Sequence, residues 1–390
     1  MSSITPLDWF AIVAPGLETF ALAEAQALGL GATREAGGVA WSGDHRSGLL
    51  ANAALRIASR VVVRLATFEV RSFAELERHA RRIAWANVLR PGDAVRFRVT
   101  CKKSKLYHSD AVAQRLADAV VRVVPGARAE GSSIGEDEID DDEADVALIV
   151  VRVMRDVCTV SADSSGALLH RRGYREAIGK APLRETLAAA LLMAADWTGD
   201  TPLVDPMCGS GTIAIEGAMI ARRMAPGLLR TFAVEHWPGF EQARWKSSLD
   251  EAQAAVRPAS PVAIAGSDRD AGAIESATEN AMRAGVAGDI TFTKQPLSAA
   301  RAPAGGPGLI ATNPPYGKRI GESDALRALY AQLGATAREH FAGWTLAMMG
   351  ADRRLEGQVA LPFAERVRTA NGGLPVRMIV APVAAGGRAS

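Results

Sequence analysis

Cysteine, net charge and long apolar runs are all scarce in this chain. Its three cysteines, Cys101, Cys158 and Cys208, lie far apart. None belongs to a Cys-x-x-Cys pair or a Cys/His cluster, which argues against a zinc site and against a disulfide framework, so no metal is expected. The formal net charge is only +2. A uniformly basic, nucleic-acid-coating protein is thereby excluded, and any surface for a polyanion has to come from local clusters of cations. No apolar stretch approaches the roughly 20 residues that a membrane helix needs. The longest, Val146–Val153 and Leu187–Ala195, read as a core strand and a core helix. The opening MSSITPLDWF has no charged segment leading into an apolar one, so no signal peptide is expected. Together these absences lead us to expect a cytoplasmic protein with no membrane partner.

What is present is a globular composition, 48% hydrophobic and 23% charged. The 390 residues exceed one ordinary core, since domains average roughly 100–200 residues, and two or three domains are expected. From Trp9 to Val70 strands and helices alternate. Phe10–Val13 predicts a strand stopped by Pro15-Gly16, Leu17–Leu28 a helix, Gly38–Trp41 a strand, Leu49–Ala58 a helix and Val61–Phe68 a strand. A second small unit follows. It has a helix over Phe73–Ala84, an alternating strand over Ala94–Thr100 and a helix over Ser109–Val124 with Val112, Leu116, Ala119, Val120 and Val123 on its apolar face. Strands over Val146–Val153 and Val157–Val160 complete it. The acidic run Glu136–Asp145 predicts a solvated loop rather than a metal site, because contiguous like charges repel. Beyond about residue 165 short apolar strands alternate with helices, the pattern of a parallel sheet covered on both faces. Glu365–Arg368 and Val376–Val383, joined through Asn371-Gly372-Gly373, predict an antiparallel hairpin at its edge.

Three strand ends carry the chemistry. In Leu203–Thr212 an apolar strand ends in Asp205, and a turn containing Cys208, Gly209 and Gly211 leads to Thr212 and a helix from Ile213. Position 214 is Ala, so this is not the Gly-x-Gly-x-x-Gly of dinucleotide folds, and it lacks the Gly-Lys-Ser/Thr of a P-loop. An acid at the strand end is unsuited to phosphate and suits a ligand bearing an ammonium group, as the methionine part of S-adenosylmethionine does. In Ala263–Asp270 a second strand ends in Asp268, placed to accept hydrogen bonds from two ribose hydroxyls, with Asp270 a lesser candidate. The stretch Met224–Ser260 between the two motifs reads as an insertion. In Leu309–Gly317 a third strand runs into Asn313-Pro314-Pro315-Tyr316. Proline stiffens such a loop. The Asn313 side-chain oxygen and the Pro314 carbonyl can then accept from one NH2 group and aim its lone pair, while Tyr316 stacks on a base. Cys208 invites a nucleophile reading, and packing is the expected role.

Residues 165–385 resemble the class I S-adenosylmethionine-dependent methyltransferases, in the amino-methylating branch with an Asn-Pro-Pro-Tyr loop. Leu169–Arg175, Ala181–Ala188, Asn280-Ala281 and Ala284–Val286 narrow the resemblance to the THUMP-domain RNA guanine-N2 methyltransferases, and within them to those acting on bacterial large-subunit ribosomal RNA. Pro15–Glu18, Ala51–Arg60 and Thr100–Asp110 extend it over almost the whole chain. It implies an α/β architecture. A ferredoxin-like α+β unit (1–68) and a THUMP RNA-binding domain (69–164) precede a Rossmann-like methyltransferase domain (165–390) with a seven-stranded sheet and an antiparallel edge hairpin. Asn313, Pro314 and Tyr316 are the expected catalytic residues. Asp205, Cys208, Gly209, Gly211, Thr212, Asp268, Gln295 and Asn313 are expected to hold S-adenosylmethionine, with Gln295 standing where an acid often contacts adenine. Lys102, Lys103, Lys105, Tyr107 and His108, which interleave cations with rings, and Arg171, Arg172 and Arg175 are expected to touch RNA. The implied activity is methyl transfer to the N2 amine of a guanosine in large-subunit ribosomal RNA. The rivals are a transfer-RNA guanine-N2 methyltransferase, an adenine-N6 or protein-glutamine methyltransferase, and a catalytically silent RNA-binding ribosome-assembly module.

Overall fold

The computed structural model describes residues 6–130, 146–175, 183–316 and 323–384. The acidic run over 136–145, the Ala181-Pro182 pair and Gly317 lie outside the described residues. No described helix is long and apolar enough to cross a membrane. The chain divides into two compact units. The first holds residues 1–13, 22–169 and 231–249, and the second holds 14–21, 170–230 and 250–390.

The first unit is built on one eight-stranded sheet. Its strands are β1 (Leu7–Val13), β2 (Thr33–Glu35), β3 (Gly38–Gly43), β4 (Ala58–Glu69), β5 (Ala94–Lys102), β6 (Arg128–Ala129), β7 (Val146–Met154) and β8 (Val157–Asp163), in the order β2-β3-β1-β4-β8-β7-β5-β6. The two small N-terminal units read from sequence thus share a sheet: β4 pairs with β1 on one side and β8 on the other, both antiparallel. Period-two burial along β5 sends Val95, Phe97 and Val99 inward, where Leu116 and Val120 of a helix over Ser109–Val123 are also buried. Val123, expected on that helix's apolar face, is 42% exposed in its last turn. The helix expected over Leu49–Ala58 runs instead over His45–Ala54, because the Asp44 carboxylate caps it by accepting from the Ser47 amide at 2.9 Å, and Ala58 already belongs to β4.

The insertion read over Met224–Ser260 has a destination that sequence did not reveal. Its residues 231–249 belong to the first unit. Trp237 stacks on Trp9, which also stacks on Trp41, with ring centroids 6.2 Å apart in each pair. The Arg90 guanidinium donates to the Trp237 carbonyl, and Phe232 and Trp245 are buried beside one another.

The second unit holds a seven-stranded sheet. Its strands are β9 (Leu203–Asp205), β10 (Ile264–Asp268), β11 (Ile290–Lys294), β12 (Leu309–Thr312), β13 (Thr345–Gly350), β14 (Ala364–Asn371) and β15 (Leu374–Pro382), in the order β11-β10-β9-β12-β13-β15-β14. All neighbours are parallel except the β13–β15 and β14–β15 pairs. The chain leaves β9 toward one edge and returns through β12 toward the other. The order therefore reverses beside β9, and the C-terminal ends of β9, β10 and β12 meet there, the place where open α/β sheets bind ligands. Helices α1 (Glu185–Ala194), α2 (Thr212–Ala221), α3 (Ala271–Arg283) and α4 (Ser323–His340) follow the strand-loop rhythm. Leu333, Ala337 and Phe341 pack with Ile310, Leu346, Met348 and Ile379 in a buried cluster.

Candidate functional site

The loop after β9 is shaped by a left-handed backbone. Gly211, at φ +83°, is the N-cap of α2, and a Cβ there would sit 3.0 Å from that of Ala277, so only glycine fits both the dihedral and the space. Asp205 is buried, and its Oδ1 accepts from the Met207 amide at 3.2 Å. Burial pushes its carboxyl up to about 7. The Asp268 carboxylate bridges two loops: Oδ2 accepts from the Gly209 amide at 3.1 Å and Oδ1 from the Asp270 amide at 3.0 Å. Asp270 is the N-cap of α3 and accepts from the Gly272 amide, which gives it a structural task. The Gln295 amide donates to the Asp268 carbonyl.

Two cavities open on these strand ends. One, of about 640 Å³, is lined by Pro206, Met207, Asp268, Arg269, Pro296–Ser298, Asn313 and Pro315 and by Ala325, Leu326, Leu329 and Gln332 of α4. The other, of about 700 Å³, is lined by His170, Arg175, Arg184, Asn313–Tyr316, Asn371, Gly372 and Leu374. Asn313 and Pro315 border both. The Asn313 side-chain oxygen is buried and makes no hydrogen bond, whereas the buried Thr312 hydroxyl at the end of β12 supports the Asp205 carboxylate. A buried acceptor without a partner costs about 1–3 kcal/mol, and Asn313 places one at the border of both cavities. The Tyr330 hydroxyl donates to the Pro315 carbonyl at 3.4 Å, bracing the loop from α4.

Of the residues expected to hold a cofactor, Asp268 and Asn313 line the first cavity. Gly209 is tied to Asp268, and Gln295 precedes the lining residue Pro296. Asp205, Cys208, Gly211 and Thr212 do not line it. They shape the turn beside it. Burial holds the Cys208 thiol far above the ordinary range, so it stays protonated, as packing requires and nucleophilic attack does not. Thr212 is buried, and its hydroxyl accepts from Arg175 at 2.5 Å. Arg269, Met207, Leu297 and the α4 residues were not legible as a cavity wall, because nothing in a helix's sequence says which ligand its face meets.

The arginines at the start of the second unit depart from the role expected of them in sequence. Arg172 is 2% exposed, and its guanidinium meets the fully buried Glu216 at 3.3 Å. The Tyr174 hydroxyl donates to the same carboxylate. Arg172 is therefore out of reach of an RNA phosphate. Arg175 is also no free clamp: it donates to Thr212 and to the Leu183 carbonyl and pairs with Glu185 at 3.4 Å, while lining the second cavity. Arg171 is half-buried, and its carbonyl accepts from Arg230. His170 lines the second cavity too. Burial, reinforced by Arg184, Arg171, Arg172 and Arg175, lowers its pKa to about 3, so it is uncharged at neutral pH.

In the first unit the basic cluster is where sequence placed it, at the end of β5. Lys102, Lys103, Lys105 and His108 are exposed, Tyr107 is 69% exposed, and the Tyr107 and His108 rings lie 4.0 Å apart. The loop is pinned from below. Leu106 is buried, the Lys105 amide donates to Asp156 Oδ1 at 2.7 Å, and the Asp156 amide donates to Ser104 Oγ. Arg155 and Asp156, with left-handed φ of 51° and 65°, form the two-residue turn between β7 and β8, which requires positive φ at both positions, and Lys103 has φ 52°. Arg155 is exposed at that turn, and the sequence reading did not single it out. Among the described residues no three His, Cys, Asp or Glu side chains are grouped to hold a metal ion.

A mixed seven-stranded sheet with a reversed antiparallel edge, a glycine turn after its central strand and an acid at the end of the next define a class I methyltransferase. Comparison with known proteins agrees. Residues 172–378 match the RMKL-like methyltransferase domain, 70–163 the THUMP domain and 8–62 the RlmL ferredoxin-like domain. A Synechocystis sp. protein named as an RNA methyltransferase is 35% identical over 97% of both chains. The ribosomal RNA large subunit methyltransferase K/L of Marinomonas sp. is 34% identical over 85% of this chain, which spans 46% of that relative. The crystal structure of a methyltransferase, SMU.472, complexed with SAH superposes with a TM-score of 0.86 at 28% identity, covering 99% of this chain and 100% of that one. The chain belongs to the RMKL-like methyltransferase family, with a THUMP domain and an RlmL-type ferredoxin-like domain ahead of the catalytic domain.

Proposed function

We propose that this protein methylates the exocyclic N2 amine of a guanosine in structured RNA, with large-subunit ribosomal RNA as the substrate. S-adenosylmethionine is the methyl donor, and it supplies a methyl group on a sulfonium centre. The first cavity suits it in size, since small-molecule sites run from roughly 300 to 1,000 Å³. Asp268 offers a carboxylate to ribose hydroxyls, and Met207, Leu297, Leu326 and Leu329 offer apolar walls to a heterocycle. The domain boundaries that accompany this reading are 1–68, 69–164 and 165–390.

The observation that carries the proposal is the place of Asn313 between the two cavities, with its buried side-chain oxygen unpaired. A base turned out of its stack into the second cavity presents its NH2 group to the Asn313 oxygen and the Pro314 carbonyl, and Tyr316 covers its ring. Two acceptors hold the amine hydrogens and direct the nitrogen lone pair toward the first cavity. The gain is one of positioning with a polar contribution. Asn313 takes no proton, and solvent is the acceptor in this scheme. The basic loop of the first unit, Lys102–His108, holds the RNA backbone.

The test is mass-spectrometric mapping of modified nucleosides in ribosomal and transfer RNA from cells lacking the protein, followed by restoration with purified enzyme. Loss and recovery of one N2-methylguanosine in large-subunit RNA is the expected result. Loss in transfer RNA instead moves the substrate, and loss of N6-methyladenosine moves the base. Tight RNA binding with no transfer to any cellular RNA identifies a silent binding module.

A further inference from the structure

The C-terminal edge hairpin reaches the acceptor cavity by one side chain. Gly372 and Gly373, with φ of +55° and +79°, make a two-residue turn that requires positive φ at both positions, and Asn371 pairs with Leu374 as the last rung of the ladder. Val367, Thr369 and Asn371 alternate onto the inward face of β14. The turn and the register therefore set the direction of the Asn371 side chain before any ligand arrives. Its Nδ2 donates to the Tyr316 hydroxyl at 2.9 Å. Both residues line the 700 Å³ cavity with Asn313, as does Leu374, an apolar side chain 44% exposed.

We propose that Asn371 is a positioning residue for methyl transfer: it tethers the Tyr316 ring at the angle that receives the acceptor base. A ring stacked on a base must present its face, and a tyrosine held only at Cβ can swing. A donor at the far end of the ring removes that freedom in advance, which is where preorganisation gains rate. Because Asn371 donates, the Tyr316 hydroxyl accepts and its own proton is not used in the tether. Neither residue type nor spacing shows this in sequence, where Asn371-Gly372-Gly373 reads only as a turn.

The inference rests on the acceptor-site reading above, so its test has an arm that needs no activity. The chain contains four tyrosines, Tyr107, Tyr174, Tyr316 and Tyr330. Labelled with 3-fluorotyrosine, the protein gives a fluorine spectrum in which Tyr316 is assigned by its absence in Tyr316→Phe. In Asn371→Ala the Tyr316 resonance should move and narrow toward that of exposed Tyr107. In single-turnover methyl transfer, Asn371→Ala and Tyr316→Phe should each slow the rate about three- to tenfold, the scale of one hydrogen bond. The double variant should be no slower than either single one, and RNA affinity should hold. An unchanged fluorine line, a wild-type rate in Asn371→Ala or additive losses in the double variant overturns the tether. If Asn371→Ala destabilises the hairpin, Tyr316→Phe leaves the hairpin intact and must still lose rate. A wild-type enzyme that transfers no methyl group to any RNA defeats the acceptor-site reading instead, and leaves the fluorine arm to judge the tether.

Discussion

The exposed basic loop of the first unit and the arginines at the start of the second carry the same charge in opposite settings. Lys103, Lys105 and Tyr107 stand in solvent on a loop pinned through its backbone, so their side chains are available. Arg172 and Arg175 are held by Glu216, Glu185 and Thr212. A run such as His170–Arg175 looks like a phosphate clamp in one dimension, and in three it is mostly an internal brace. A cation serves a partner only if the fold has not already given it one. Exposed charges act through long-range, salt-screened attraction, whereas a buried pair acts through the cost of separating it.

That contrast can be broken most forcefully at Arg172. Arg172→Ala leaves the Glu216 carboxylate buried without its cationic partner and with the Tyr174 hydroxyl as a remaining donor, and the expected loss of stability is roughly 3–5 kcal/mol. Urea denaturation checks it. Unchanged stability with weakened RNA binding would return Arg172 to the surface role that sequence suggested. Next in size is Asn313→Ala, which removes the unpaired acceptor between the cavities. Single-turnover transfer should fall about 10²–10³-fold with little change in RNA affinity. An equal loss in both would mean that Asn313 grips RNA rather than orienting the amine.

Asp268→Ala should weaken S-adenosylmethionine binding by roughly 1–3 kcal/mol, read by calorimetry. Because Asp268 also accepts from Gly209, part of that loss is loop order, and a fall in melting temperature of the free protein would reveal it. The smallest effect at working salt is expected from Lys103→Ala with Lys105→Ala. For every RNA phosphate that these changes leave unneutralised, the slope of log affinity against log salt should flatten by about 0.7–0.9, with cofactor affinity unmoved. A wild-type slope would make the loop an ordinary solvated face, and Arg155, exposed at the neighbouring turn, the next residue to replace.

Much of the catalytic unit was legible in one dimension because its signals are local. An apolar strand that ends in an acid or in Asn-Pro-Pro-Tyr needs only adjacent residues to be recognised, and Asn-Gly-Gly between two apolar runs specifies its own turn. The helix that starts at His45 rather than Leu49 was misjudged because its boundary depends on a single cap, Asp44, outside the apolar pattern. The destination of residues 231–249 was invisible for a stronger reason: Trp9, Trp41 and Trp237 make one stack from segments far apart in the chain, and no local period encodes that.

By itself the sequence determined the strand-loop-helix rhythm, the order of the three strand-end motifs, the edge hairpin and the basic, aromatic loop after β5. Those features follow from steric and solvation preferences that neighbouring residues express on their own. Tertiary structure alone decided which motif residues line a cavity and which shape the turn beside it. It also decided which arginines are consumed by buried glutamates, and that the turn residue Asn371 ends at the hydroxyl of Tyr316. Those outcomes depend on where distant segments meet, and burial then sets whether a charged or polar group is spent inside the fold or left for a partner.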